Sequence, residues 1–162
     1  MKYYKIIIIV LGILINSNAY SQDSAAIYKK HLCKTWRLIE GYSPGSDISG
    51  TGWKSPKTTN YLLDNKWVIL TTYNSDNTFK VITTIKDAIS KKDSVIVESG
   101  TWSLNIELNE LREMTLFNNG KPLIFPLDFN YEIITLTNDT LKTAFVTIGG
   151  AITHTYIPYK NN

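Results

Sequence analysis

The chain carries a single cysteine, two histidines and five prolines in 162 residues, and its charges nearly cancel. One cysteine, Cys33, excludes an internal disulfide, so the fold has to rest on its own core. His31 and His154 do not recur with Cys, Asp or Glu at ligand spacing, and no metal or cofactor is expected. Lys and Arg total 17 against 14 Asp and Glu, and two of the 17, Lys2 and Lys5, fall at the extreme N-terminus. The remainder is within one charge of neutrality and has no basic cluster, which removes the electrostatic case for nucleic acid. No Gly-rich phosphate loop, nucleophile elbow or triad order is present, so catalysis is not expected. Internal repeats and low-complexity tracts are also missing.

Long hydrophobic runs are equally scarce. The one that stands out, Ile6 to Ile15, is broken only by Gly12 and falls well short of the roughly 20 residues a membrane helix needs. Lys2 and Lys5 precede it, and Ala19-Tyr20-Ser21 follows with small residues at the two positions a signal peptidase reads. Residues 1–21 are therefore expected to be a signal peptide cleaved before Gln22. That leaves a periplasmic or secreted domain, residues 22–162, without a membrane span. Cys33 lies too far beyond the apolar run to be a lipidated N-terminus. Beside Leu32 in a short helix it is expected to be a small buried residue.

What the chain does have is β-branched and aromatic residues, with ten Tyr and four Trp, which suit a pleated, half-buried surface. Ser24 to Lys34 places Ala25, Ile27, Tyr28, Leu32 and Cys33 at helical spacing, predicting one short helix that Asp23 or Ser24 caps. Helical periodicity then ends. Eight strand-like runs follow: Trp36–Tyr42, Lys66–Tyr73, Thr78–Lys86, Ser94–Leu104, Leu111–Phe117, Asn130–Leu136, Leu141–Thr147 and His154–Tyr159. Asn and Asp mark the turns at 74–77 and 137–140, the latter formally also a glycosylation acceptor, and Gly100 suggests a bulge or bend. Eight hairpinned strands suffice to close an antiparallel up-and-down barrel, and closure removes exposed edges. The same alternation also fits a β-sandwich.

Trp36 and Leu38 share one face, as do Phe79 with Val81, Trp102 with Leu104, and Tyr131 with Ile133. Arg37, Lys80, Ser103, Glu132 and Lys142 fall on the other. Trp36 and Trp102 are expected in the structural core. Tyr73, Phe79, Tyr131, Phe145 and Tyr156 are the candidates for lining a cup. The long segment Ser43 to Asn65, rich in Gly, Ser, Pro and Thr, includes Trp53, Tyr61 and Leu62 and is expected to lie over the mouth, adding Trp53 to the candidates. Asn118 to Asp128 reads as a second loop, with Leu123-Ile124-Phe125 between two prolines, an apolar stretch expected to pack against the domain. Glu40 shares the face of Trp36 by strict alternation, unless a bulge turns it outward. Glu107, Glu110 and Glu113 gather near a predicted turn, where carboxylates are ordinarily solvated. His154 alternates with Tyr156 and would face inward, as a haem barrel requires, although a solvated or hydrogen-bonded histidine fits the pattern better.

Four segments resemble the bacterial lipocalin-like domain family. They are Leu32-Cys33-Lys34-Thr35-Trp36-Arg37-Leu38, Tyr73-Asn74-Ser75-Asp76-Asn77-Thr78-Phe79, Ser99-Gly100-Thr101-Trp102-Ser103-Leu104, and Tyr131 to Leu141. Family members similarly show an early Trp strand, an Asn/Asp-rich turn before Phe, a Gly-x-Trp strand and a late strand–turn–strand ending in Leu. Lys34 stands where eukaryotic lipocalins have Gly. The resemblance implies an all-β, eight-stranded calycin-type barrel and transfers no particular ligand. Two functions follow as expectations. One is a monomeric exported module holding a small hydrophobic molecule. The other is a protein-interaction barrel, an inhibitor or envelope subunit, whose filled core supports loops that bind a partner.

Overall fold

The computed structural model describes residues 25–43, 59–60, 67–86, 92–147 and 150–160. A short helix, α1 (residues 25–32), leads into β1 (Thr35–Ser43), followed by β2 (Thr59–Asn60), β3 (Trp67–Tyr73), β4 (Thr78–Ile85) and β5 (Ser94–Asn105). Then come β6 (Glu110–Asn118), β7 (Lys121–Leu136), β8 (Leu141–Thr147) and β9 (Gly150–Pro158). β1 and β3 to β9 pair antiparallel in sequence order, and β9 returns to β1 from Trp36↔Pro158 to Tyr42↔Thr153, closing an eight-stranded barrel. This is the expected fold, with the helix where the sequence places it.

Turn chemistry sets the order. Asn77 and Asn109 adopt positive φ (67° and 53°), which Asn tolerates better than most residues because its side chain bonds locally. In the β3–β4 turn, Asp76 Oδ1 accepts from the Thr78 backbone N–H at 3.0 Å and from its hydroxyl at 2.7 Å. Gly100 is required by a close approach: a Cβ there would lie 1.9 Å from the Met114 carbonyl oxygen. At that point the β5–β6 register shifts, Ser99 pairing with Phe117 and Gly100 with Thr115. A glycine lets the bulged strand press against its neighbour.

Three expectations change. Asn118 to Asp128 is a hairpin and strand, turned by Asn119 (φ 50°) and Gly120 (φ 74°), and β7 accordingly begins at Lys121 rather than Asn130. Its register jumps from Thr115↔Leu127 to Phe117↔Pro122, so Leu123 to Pro126 stand opposite Leu116 alone. Ile124 and Phe125 are 89% and 81% exposed, so this apolar run projects instead of packing. β9 starts at Gly150, four residues ahead of His154. Within the long segment after β1, Thr59 and Asn60 pair with Ser43 and Tyr42. The signal peptide, Gln22, Trp53, Tyr61 and Leu62 fall outside the described residues.

The helix seals one end. Leu32, Trp36, Tyr73, Phe79, Trp102, Leu111, Ile133 and Leu141 form one buried cluster beneath it. Three side-chain bonds pin α1 to three different turns: Lys29 Nζ to Asn77 Oδ1 (2.8 Å), Tyr28 Oη to Asn109 Oδ1 (3.2 Å), and His31 Nδ1 with Asn138 Oδ1 (2.8 Å). The indole N–H of Trp36 donates to the Leu32 carbonyl, and that of Trp102 to the Asn74 carbonyl, so both large rings are buried without an orphaned donor. Cys33 is a partly buried free thiol packed against this cluster, its pKa raised chiefly by burial.

Candidate functional site

Moving away from the helix along each strand, the inward positions change character. On β6 the sequence Leu111, Glu113, Thr115 runs from apolar to carboxyl to hydroxyl, all three buried. On β5, Trp102 and Gly100 give way to Glu98; on β3, Tyr73 gives way to Thr71 and Ile69. The positions farther from the helix, Glu113, Thr115, Glu98, Thr71 and Ile69, border a cavity of about 250 Å³ inside the barrel. Its walls combine Thr71, Thr83, Thr115, Glu98 and Glu113 with the aromatic residues Phe79, Phe129, Tyr131, His154 and Tyr156. Among the described residues that line it there is no Lys or Arg.

Glu113 is the unusual member, with only 8% of its surface exposed. The Tyr73 hydroxyl donates to its Oε1 from across the barrel. Burial pushes the Glu113 carboxyl up to about 7; the Tyr73 bond works against this, and the charge of Glu98 adds to it. Desolvation of this size is what a carboxylate suffers away from water. Tyr73 is raised well above its ordinary range by its own burial first and by the Glu113 charge second. His154, on β9, is lowered by burial and sits 3.4 Å from the Tyr156 hydroxyl through Nδ1. Near neutral pH the cup therefore holds a carboxyl poised between its two forms beside a neutral imidazole.

The expectation that Glu113 is a solvated turn residue is wrong, because β6 begins at Glu110 and Glu113 alternates with Leu111 into the interior. The signal was present in the Leu-x-Glu-x-Thr spacing. Glu40 is turned outward: β1 skips one residue between Leu38↔Tyr156 and Glu40↔Thr155, putting Glu40 opposite the neighbour of inward-facing His154 and Tyr156.

The candidate lining residues separate. Phe79, Tyr131 and Tyr156 border the cavity. Tyr73 does not line it: it belongs to the buried cluster, edge-on to Trp102 with ring centroids 6.0 Å apart, and its hydroxyl donates to Glu113 of the cup. Phe145 packs against Phe129 and Tyr131 at 5.7 and 5.8 Å. Trp36 and Trp102 are in the sealed end.

A second space opens beside the cup. β7 and β8 pair only from Leu136↔Leu141 to Glu132↔Ala144, whereas β8–β9 pairing continues to Thr147↔Gly150. The strands diverge above Glu132, leaving a lateral groove of about 540 Å³ bordered by Asp128, Asn130, Phe145 and Val146. Tyr131 borders both spaces and divides them. Among the described residues no three His, Cys, Asp or Glu side chains gather to hold a metal, and no helix is long and apolar enough to cross a membrane.

No known family model and no curated protein matches the chain.

Proposed function

We propose that this chain is an exported, lipocalin-like binding protein that holds one small molecule in the open half of its barrel, without catalysis. The observation that carries the reading is the switch on β6 from Leu111 to Glu113 and Thr115 inside a closed barrel. A barrel selected only for stability would continue its apolar filling there, because a buried carboxyl is costly. A cup instead needs a few convergent polar groups among apolar walls to orient a ligand. Eight strands enclose room for one small molecule, and about 250 Å³ fits that scale. The leader-like N-terminus supports export.

Native mass spectrometry of the protein taken from its own cell envelope should show a small molecule retained at one per chain. Purified domain should bind at least one member of a panel of fatty acids, retinoids and aromatic dyes saturably, one to one. A folded domain that binds none of them contradicts the cup. Intact mass should begin at Gln22, allowing for loss of ammonia on cyclisation; a mass that includes residues 1–21 contradicts export.

One observation favours a second reading, a barrel that docks a protein partner. Ile124 and Phe125 project from β7 beside exposed Leu127, and contiguous apolar exposure marks interaction surfaces. Under that reading, Phe125→Ser abolishes partner capture and leaves small-molecule binding unchanged.

A further inference from the structure

We propose that the cup selects organic cations, seating an ammonium group between Glu113, Glu98 and the rings of Phe129, Tyr131 and Tyr156. This rests on the reading that the barrel binds a small ligand, and it names the class. Among the described residues, the charged side chains that reach the cavity are both acidic, Glu98 from β5 and Glu113 from β6. With no Lys or Arg among the described residues of the wall, a carboxylate or phosphate ligand would enter against two like charges there. An ammonium finds two counter-ions and several aromatic faces, and cation–π attraction strengthens when the cation is desolvated. A cation is also what compensates the cost of ionising Glu113 in its buried position.

The groups facing Glu113 are Tyr73 from β3, Glu98 from β5, Tyr131 from β7, and His154 and Tyr156 from β9. Tyr73 stays protonated and donates its hydroxyl to the carboxylate, steadying one oxygen. His154 is neutral near pH 7, and if protonated at lower pH it opposes a cation, in the same direction as protonation of Glu113. Since Glu113 titrates at about 7 in the empty cup, it is mostly protonated at pH 6 and mostly ionised at pH 8. A permanent cation that requires the carboxylate should bind about tenfold more weakly at the lower pH.

The test is calorimetric titration with three ligands of similar size: benzyltrimethylammonium, 3-phenylpropanol and 3-phenylpropionate. The quaternary ammonium cannot itself titrate, so any pH dependence belongs to the protein. The expected result is that the cation binds at least tenfold more tightly than either other ligand at pH 8 and loses about tenfold by pH 6. Glu113→Gln keeps an acceptor for Tyr73 and should abolish both the preference and the pH dependence while still binding the alcohol. Glu98→Gln should reduce the preference and move the midpoint of the pH dependence downward without abolishing it, because the Glu98 charge helps to raise Glu113. Equal or tighter binding of the alcohol or the carboxylate by the wild type overturns the cation assignment and leaves the cup intact. Binding of none of the three by folded protein overturns the cup itself, and this assignment with it.

Discussion

Beneath α1 the barrel interior is occupied by Leu32, Trp36, Phe79, Trp102, Leu111 and Leu141, all buried. At the other end, the same strands present Thr71, Thr83, Thr115, Glu98 and Glu113 around an unfilled space. Both ends obey one period-two alternation, so backbone geometry does not distinguish them. The identity of the inward residue does. The sealed end has the largest side chains, with their N–H groups bonded to backbone carbonyls, and it supplies the stability. The open end gives up apolar burial for polar groups that water or a ligand must satisfy. The barrel thus divides its interior along its axis.

Substitutions at the two ends should differ accordingly. The largest effect belongs to the sealed end: Trp102→Ala should cost about 3–5 kcal/mol in denaturant unfolding, since its cavity cannot collapse under the helix. A loss below about 1 kcal/mol would erase the contrast between the ends. Next comes the carboxyl of the cup. Glu113 has a folded pKa of about 7, above its ordinary 4.5, so the folded state binds more protons between those values. Its contribution is therefore neutral below pH 4.5 and becomes destabilising as the pH rises through 7, by on the order of 3 kcal/mol. Glu113→Gln should remove this, making the variant more stable than the wild type at pH 8 and little different at pH 4; parallel stability curves would refute the burial of that carboxyl. Gly100→Ala should cost about 1–3 kcal/mol, because Met114 backbone occupies the space a methyl would need. An unchanged melting temperature would show that the β5–β6 approach is loose. The smallest effect is expected at the rim, where Thr83→Val should shift stability by less than about 0.5 kcal/mol. A cost comparable to that of Trp102→Ala would mean that the open end is packed after all.

The sealed end was the legible part of the sequence. Trp36, Phe79 and Trp102 sit in strand-like runs bounded by Asn/Asp turns, and hydrophobic alternation reports such positions directly. The open end was harder to read, because its defining residue is a carboxylate, which by default is assigned to solvent. Glu113 stood beside Glu107 and Glu110 in sequence, and that proximity to a turn obscured its alternation with Leu111. Glu40 posed the opposite problem, inward by counting and outward through a bulge that alternation alone does not reveal. Asn119-Gly120 is a strong hairpin signal, yet Pro122 and Pro126 on its far side disguise β7 as a loop. Pairing through that stretch depends on a multi-residue bulge opposite Leu116, which local sequence does not encode. Phe129 comes to the cup only through the register of β7, a tertiary property, whereas the alternation of His154 with Tyr156 already turned that histidine inward.

At the open end of the barrel a carboxyl, that of Glu113, is held away from water. The most direct test of this is a pH titration of the Glu113 side-chain carboxyl by carbon-13 NMR, assigned by the signal lost in Glu113→Gln. The account expects a midpoint near 7 in the empty protein. A midpoint near 4.5, the ordinary value for glutamate in water, would contradict it.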